Sequence, residues 1–291
     1  MDILTNYTFQ IVALGSVLLA VAAAPVGAFS VYKGQSLIGD AIGHSTFPGI
    51  ILAYMAFATR SPVILLAGAI LAGAASYALI QLAHRDKRLG LDANLAIFLS
   101  GFFGLGMALK SFIQGNPDYA GASQAGLGTY IFGQAAYMLE ADVLLIAVVS
   151  ALVLTLLLLF YKELKLFVFD AEYAEVVGLP CRLLNILLLV MTIAVIGIGI
   201  KAVGAILISS FLIIPCVAAN QWSNSLSRVL VLSSLIGAVS ALVGTYISTL
   251  EQGMSTGPSI ILVASLIAFF SILFGTKGIL GRTLKRRQEH G

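Results

Sequence analysis

The sequence predicts an all-α integral membrane protein of about nine transmembrane helices, carried as one domain over residues 1–291. Three observations carry that prediction. Hydrophobic residues make up 59% of the chain and charged residues only 10%, against about 25% charged in a soluble domain. The apolar residues gather into runs of the roughly 20 residues needed to cross a hydrocarbon core about 30 Å thick. Nine alternating crossings that start outside place 13 of the 16 Lys and Arg residues on one side, the asymmetry expected of cytoplasmic loops. The net charge of +3 suits this topology rather than nucleic-acid binding, and the runs leave no room for a soluble catalytic or receptor domain.

The first run, near residues 9–32, is interrupted by Pro25 and follows an N-terminus without the basic segment of a cleavable signal. The second, near 36–58, holds Asp40, His44 and Pro48. The third and fourth lie near 62–83 and 91–110, separated by the basic stretch His84 to Arg88. Ser111 to Asp142 is polar and rich in small residues, which predicts an extracytoplasmic turn and a short surface element ending at Tyr130 to Gln134. A fifth run near 141–161 leads to the cytoplasmic loop at about 162–182.

Within that loop Asp170 is placed to cap a helix, Glu172 suits its first turn, and Gly178 with Pro180 stops it. A helix of about two turns results, too short to span. Tyr173, Val176 and Val177 form its apolar edge, with Glu175 among its polar residues, and such an edge suits docking in the groove of another protein. Runs near 182–200, 203–221, 227–249 and 257–275 follow, and a basic tail occupies 276–291. The reversal at 199–204 is so short that an eight-span chain, with 201–221 partly re-entrant, competes with nine.

Asp40 and His44 are the residues that most need explaining. An i, i+4 pair shares one helix face, so a carboxylate oxygen and an imidazole nitrogen can meet one small object. Ionisable side chains at membrane depth cost roughly 2.5–3.5 kcal/mol on insertion scales and usually face a pathway. Pro48 lies one turn on, where it frees the His44 carbonyl from the helical ladder. Covalent catalysis and internal nucleotide hydrolysis find no support, because no phosphate-binding Gly-Lys-Ser/Thr loop, His-Glu-x-x-His helix or Gly-x-Ser-x-Gly elbow occurs. His84 and His290 fall in basic segments, and Cys181 and Cys216 stand too far apart to suggest a disulfide or zinc site.

The block Ser36 to Gly49, with Ala23 to Phe29, Tyr130 to Gln134, Phe169 to Glu175, Lys201 to Pro215 and Ser255 to Ile260, resembles the permease subunit of bacterial ABC importers for zinc and manganese. Phe132-Gly133-Gln134 and Lys162 to Lys165 look nearer the manganese-type branch. The resemblance implies a multi-pass protein of the bacterial plasma membrane, not itself an enzyme. It implies a second permease protomer as homo- or heterodimer, two cytoplasmic ATPase subunits that bind the ATP, and an extracytoplasmic metal-binding protein. It casts Asp40 and His44 as pathway ligands and residues 169–178 as the coupling helix, while Cys216 and Asn220 depart from the commoner residues at the inner mouth.

A dehydrated divalent ion needs replacement ligands, and a carboxylate with an imidazole suits manganese, zinc or iron above calcium or magnesium. Two such pairs across a dimer axis would supply up to four side-chain ligands, with Ser45, Thr46 and the carbonyl freed by Pro48 as supporting groups. A proton-coupled transporter using Asp40 and His44 as a relay is the competing expectation.

Overall fold

The computed structural model describes residues 6–59, 61–84, 90–116, 119, 138–250 and 254–278. Their elements are helices: α1 (Tyr7–Tyr32), α2 (Ile38–Phe57), α3 (Pro62–His84), α4 (Leu91–Gly115), α5 (Glu140–Leu159), α6 (Tyr161–Phe169), α7 (Ala171–Val176), α8 (Cys181–Val203), α9 (Ala205–Asn220), α10 (Leu226–Leu250) and α11 (Thr256–Phe274). The surface element expected at Tyr130 to Gln134, the basic residues Arg60, Arg85, Lys87 and Arg88, and the tail from residue 279 lie outside the described residues.

Among the described residues, seven helices are long and apolar enough to cross a membrane: α1, α3, α4, α5, α8, α10 and α11. The expectation of about nine such spans is corrected at two places. Helix α2 has 20 residues, but Asp40, His44, Ser45, Thr46 and Pro48 dilute its apolar character. Helix α9 has 16 residues, short of the roughly 20 of a full span. Both are nonetheless helices at the expected positions, enclosed by the longer ones.

Contacts at the helix ends order the bundle. At one end the Tyr7 hydroxyl of α1 bonds Glu140 at the start of α5, and Ser248 near the end of α10 meets Thr256 at the start of α11 at 3.1 Å. At the other end the Tyr32 hydroxyl donates to Asn220 Oδ1 at 3.1 Å, Lys33 donates to Asn185 of α8, and Lys277 donates to Asn220 at 3.4 Å. Helix α8 therefore begins where α9 ends, and α9 returns as a true, short antiparallel pass. The reversal is made at Gly204, whose φ of +89° and ψ of 158° lie in a region essentially reserved for glycine. Lys33, Lys162, Lys165, Arg182, Arg228 and Lys277 gather at or near the Tyr32 end, the cytoplasmic end by the positive-inside rule.

Helix α1 is the axle, with 72% of its apolar window buried against 11% for α4. Its small residues, Ala20, Ala22, Ala23, Ala24, Gly27 and Ala28, are buried and let neighbouring backbones come close, as small residues do where helices meet in lipid. Helices α2 and α3 cross the same way. A Cβ on Gly49 would lie 2.2 Å from the Gly68 carbonyl oxygen, and one on Gly68 would lie 2.4 Å from that of Gly49. This crossing, one residue after Pro48, holds α2 where it presents Asp40 and His44.

Helix α6 lies within the stretch expected as loop. Leu164 and Phe167 bury one face of it while Lys162 and Lys165 are exposed. It leads through Asp170 into α7, whose first turn is capped by the Asp170 carboxylate accepting from Tyr173 N at 2.9 Å. Gly178 at φ +86° closes the far end, with Leu179 N donating to Ala174 O at 3.0 Å in the left-handed turn that commonly terminates helices.

Candidate metal site

Asp40 lies in the first turn of α2, where unpaired N–H groups favour a carboxylate. His44 is one turn on, with Nε2 3.4 Å from Asp40 Oδ1. Across residues 38–51 these two are the only ones not buried, with side-chain exposures of 31% for Asp40 and 12% for His44. The helical periodicity that puts them on one face also makes that face the one opening in an otherwise enclosed segment.

Two neighbours escaped sequence reasoning. Ser209 of α9, buried, donates its hydroxyl to Asp40 Oδ1 at 3.0 Å. Phe103 of α4 sets its ring at 4.9 Å and 82° to the imidazole, a favoured edge-to-face geometry. The Nδ1 of His44 is buried and has no hydrogen-bond partner among the described residues. Such an orphan costs about 1–3 kcal/mol and is tolerated where function needs it. The only forewarning of Ser209 was a Ser-Ser pair in an apolar run.

The expected supporting groups are arranged differently. The Ser45 hydroxyl lies 2.6 Å from the Ala41 carbonyl and 2.7 Å from Ser76 Oγ of α3. Thr46 donates to the Gly43 carbonyl at 2.6 Å. Being one and two residues after His44, at about 100° per residue, they point to other faces. Ser45 thereby fastens α2 to α3, whereas the Thr46 bond stays within α2. Helix α2 runs unbroken through Pro48, whose ring packs 3.1 Å from the site of a Cβ on Gly106 of α4.

Ser209 is eleven positions before Asn220, or ~16 Å along a helix at 1.5 Å per residue. The pair therefore sits about midway through a core about 30 Å thick. Among the described residues no cluster of three or more His, Cys, Asp or Glu side chains exists, so they offer Asp40 and His44 here and no third such ligand.

At the inner end, Lys33 reaches over the Phe167 ring of α6 at 4.9 Å, and burial lowers its amine from 10.5 to about 8. Tyr32 packs on Phe169 with ring centroids 5.3 Å apart. Asn185 and Gln81 both donate to the Tyr77 hydroxyl, at 2.9 and 2.7 Å. The segment leading into α7 is thus clasped to α1. In α7 itself only Ala174 is buried, while Tyr173, Val176 and Val177 are 55%, 84% and 55% exposed. Asp170, Glu172, Glu175 and Gly178 are also exposed. Cys181 and Cys216 are free thiols, the second buried.

Comparison with known proteins shows the family. The model of the ABC 3 transport family matches residues 5–275. The zinc transport system membrane protein TroC of Treponema pallidum (strain Nichols) is 39% identical over 99% of this chain and 96% of its own length. The manganese transport system membrane protein MntC of Bacillus subtilis (strain 168) is 38% identical over 95% of this chain, which spans 63% of that protein. A chain in the structure of PsaBC from Streptococcus pneumoniae in complex with Fab superposes with a TM-score of 0.85 at 27% identity, covering 98% of this chain and 96% of that one.

Proposed function

This chain belongs to the ABC 3 transport family, and from that premise we propose that it is the permease of an ATP-driven importer of a divalent transition-metal ion. Manganese is the ion favoured, with zinc and iron the alternatives. Relatives named for zinc and for manganese transport match almost equally well. The preference for manganese rests on the Phe132-Gly133-Gln134 and Lys162 to Lys165 blocks.

The observation that carries the reading is the Asp40 and His44 pair, partly open on an enclosed helix about midway through the bundle. A metal ion arriving there exchanges water for a carboxylate oxygen and a neutral imidazole nitrogen. Two protein ligands hold it weakly, and a second copy of the pair from a partner protomer completes the set. Helix α4, beside the pair, leaves room for that protomer, because Cβ atoms on Gly101 and Gly104 would meet nothing within 4 Å. Weak, shared coordination suits a pathway, since an ion held too tightly cannot leave.

The drive enters from the cytoplasmic end. The exposed Tyr173, Val176 and Val177 edge of α7 docks in a groove of an ATPase subunit, and the clasp of Phe167 and Phe169 on Lys33 and Tyr32 carries its movement to α1. An extracytoplasmic binding protein delivers the ion at the Tyr7 end. Purified permease, reconstituted in vesicles with its ATPase subunits and binding protein, should take up manganese only with ATP on the ATPase side. Uptake driven by a proton gradient without ATP would overturn the proposal in favour of a proton relay through the same pair.

A further inference from the structure

We propose that Ser209 is the positioning residue of the metal site, holding the Asp40 carboxylate in the orientation that receives the ion. This inference rests on the assignment of Asp40 and His44 as pathway ligands and adds to it a group from another helix. Three observations meet at this residue. Its Oγ lies 3.0 Å from Asp40 Oδ1, the same oxygen that faces His44 Nε2 at 3.4 Å. Its side chain is buried on α9, 169 residues from its partner in sequence. And α9 is held rigidly at this level, because the Gly27 backbone of α1 presses on Leu212, one turn after Ser209.

The Ser209 hydroxyl is aimed across to a carboxylate on α2. A hydrogen bond to an ionised acceptor is stronger and shorter than a neutral one, and here it does two things. It stops the Asp40 carboxylate from rotating about its terminal torsion, and it stabilises the anion before any metal arrives. Partners of this kind, which touch a ligand rather than the metal, typically change metal affinity 10–100-fold when removed. Ser209 acts on the ligand rather than on the ion, so its loss weakens capture and leaves release unhindered.

The test is manganese uptake by the complete complex in vesicles, with initial rates measured across metal concentration at equal permease abundance. Ser209→Ala should raise KM for Mn²⁺ by about 10–100-fold with kcat within about twofold, and Ser209→Thr, which keeps the hydroxyl, should return KM to near wild type. Should Ser209→Ala fail to assemble, Ser209→Cys, of similar size but a weaker donor, carries the same expectation. Wild-type KM in the hydroxyl-free variant, or a fall in kcat at unchanged KM, would overturn the positioning role. Asp40→Asn run alongside separates the two levels: full uptake by that variant would remove the site assignment, whereas its inactivity beside a normal Ser209→Ala would remove only the inference about Ser209.

Discussion

Gly27→Ala concentrates the geometry of the bundle in one methyl group. A Cβ at Gly27 would stand 1.9 Å from the Leu212 carbonyl oxygen, 2.6 Å from its carbonyl carbon and 2.7 Å from its Cα. Contacts below 3.0 Å are essentially never seen, so α1 and α9 must separate by at least 1.1 Å at this level. Every atom in the way is backbone, so no rotamer change can relieve the clash. Overpacking of a close-packed interior costs about 1–3 kcal/mol, and the rigid obstacle puts this case near ~3 kcal/mol. At the ~2–4 °C per kcal/mol of chains of 150–250 residues, the apparent Tm of the purified protein should fall by ~6–12 °C. The retreat of α9 also carries Ser209 away from Asp40, so manganese uptake should fall along with stability. Gly115→Ala is the matched control, since a Cβ there meets nothing within 4 Å and should leave Tm equal or slightly higher. A Gly27→Ala protein with wild-type Tm and uptake would refute both the tight α1–α9 crossing and the account of the site that depends on it.

Tyr173→Ala with Val177→Asp removes an exposed apolar edge whose burial in a partner groove is worth roughly 1.5–3 kcal/mol per side chain; ATPase stimulation by the loaded binding protein and metal uptake should both be lost, and normal co-purification and uptake would show that α7 does not couple. In a complex with one wild-type and one Asp40→Asn, His44→Ala protomer, uptake should be severely impaired because half the ligands are gone; about half the wild-type rate would indicate one independent pathway per protomer. The Lys33 amine, lowered by burial from 10.5 to about 8, binds fewer protons in the folded than in the unfolded chain between those values. Stability should therefore rise with pH across about 8 to 10.5. Lys33→Met should flatten that rise in pH-dependent melting, and an unchanged profile would contradict the burial of the cation.

The helices were legible because spanning segments must satisfy their backbones internally and present apolar side chains, so the runs containing α1, α8 or α11 read directly from composition. The Asp40 and His44 spacing was legible for the same reason: in an apolar run two polar residues on one face stand out. Asp170 and Gly178 marked the ends of α7 because capping and left-handed termination are local chemistry. What lay beyond the sequence was non-local. Nothing near Ser209 announces a partner 169 residues away, and the apposition of Gly27 with Leu212 exists only once α9 has turned back at Gly204. Ser45 and Thr46 adjoin His44 in sequence, but helical rotation turns them toward Ser76 and the Gly43 carbonyl. Helix α6 was hidden because its buried pair, Leu164 and Phe167, is too short a pattern to stand out beside a long apolar run.

The most direct test is the initial rate of manganese uptake by cells carrying Asp40→Asn or His44→Ala permease, each at wild-type membrane abundance and assembled with its partners. These two side chains are the ones on α2 that combine metal-binding chemistry, a shared face 3.4 Å apart and an opening at mid-depth. Both substitutions should abolish uptake while leaving insertion and assembly intact. Normal uptake by both would contradict the assignment of Asp40 and His44 as the ligands of the metal pathway.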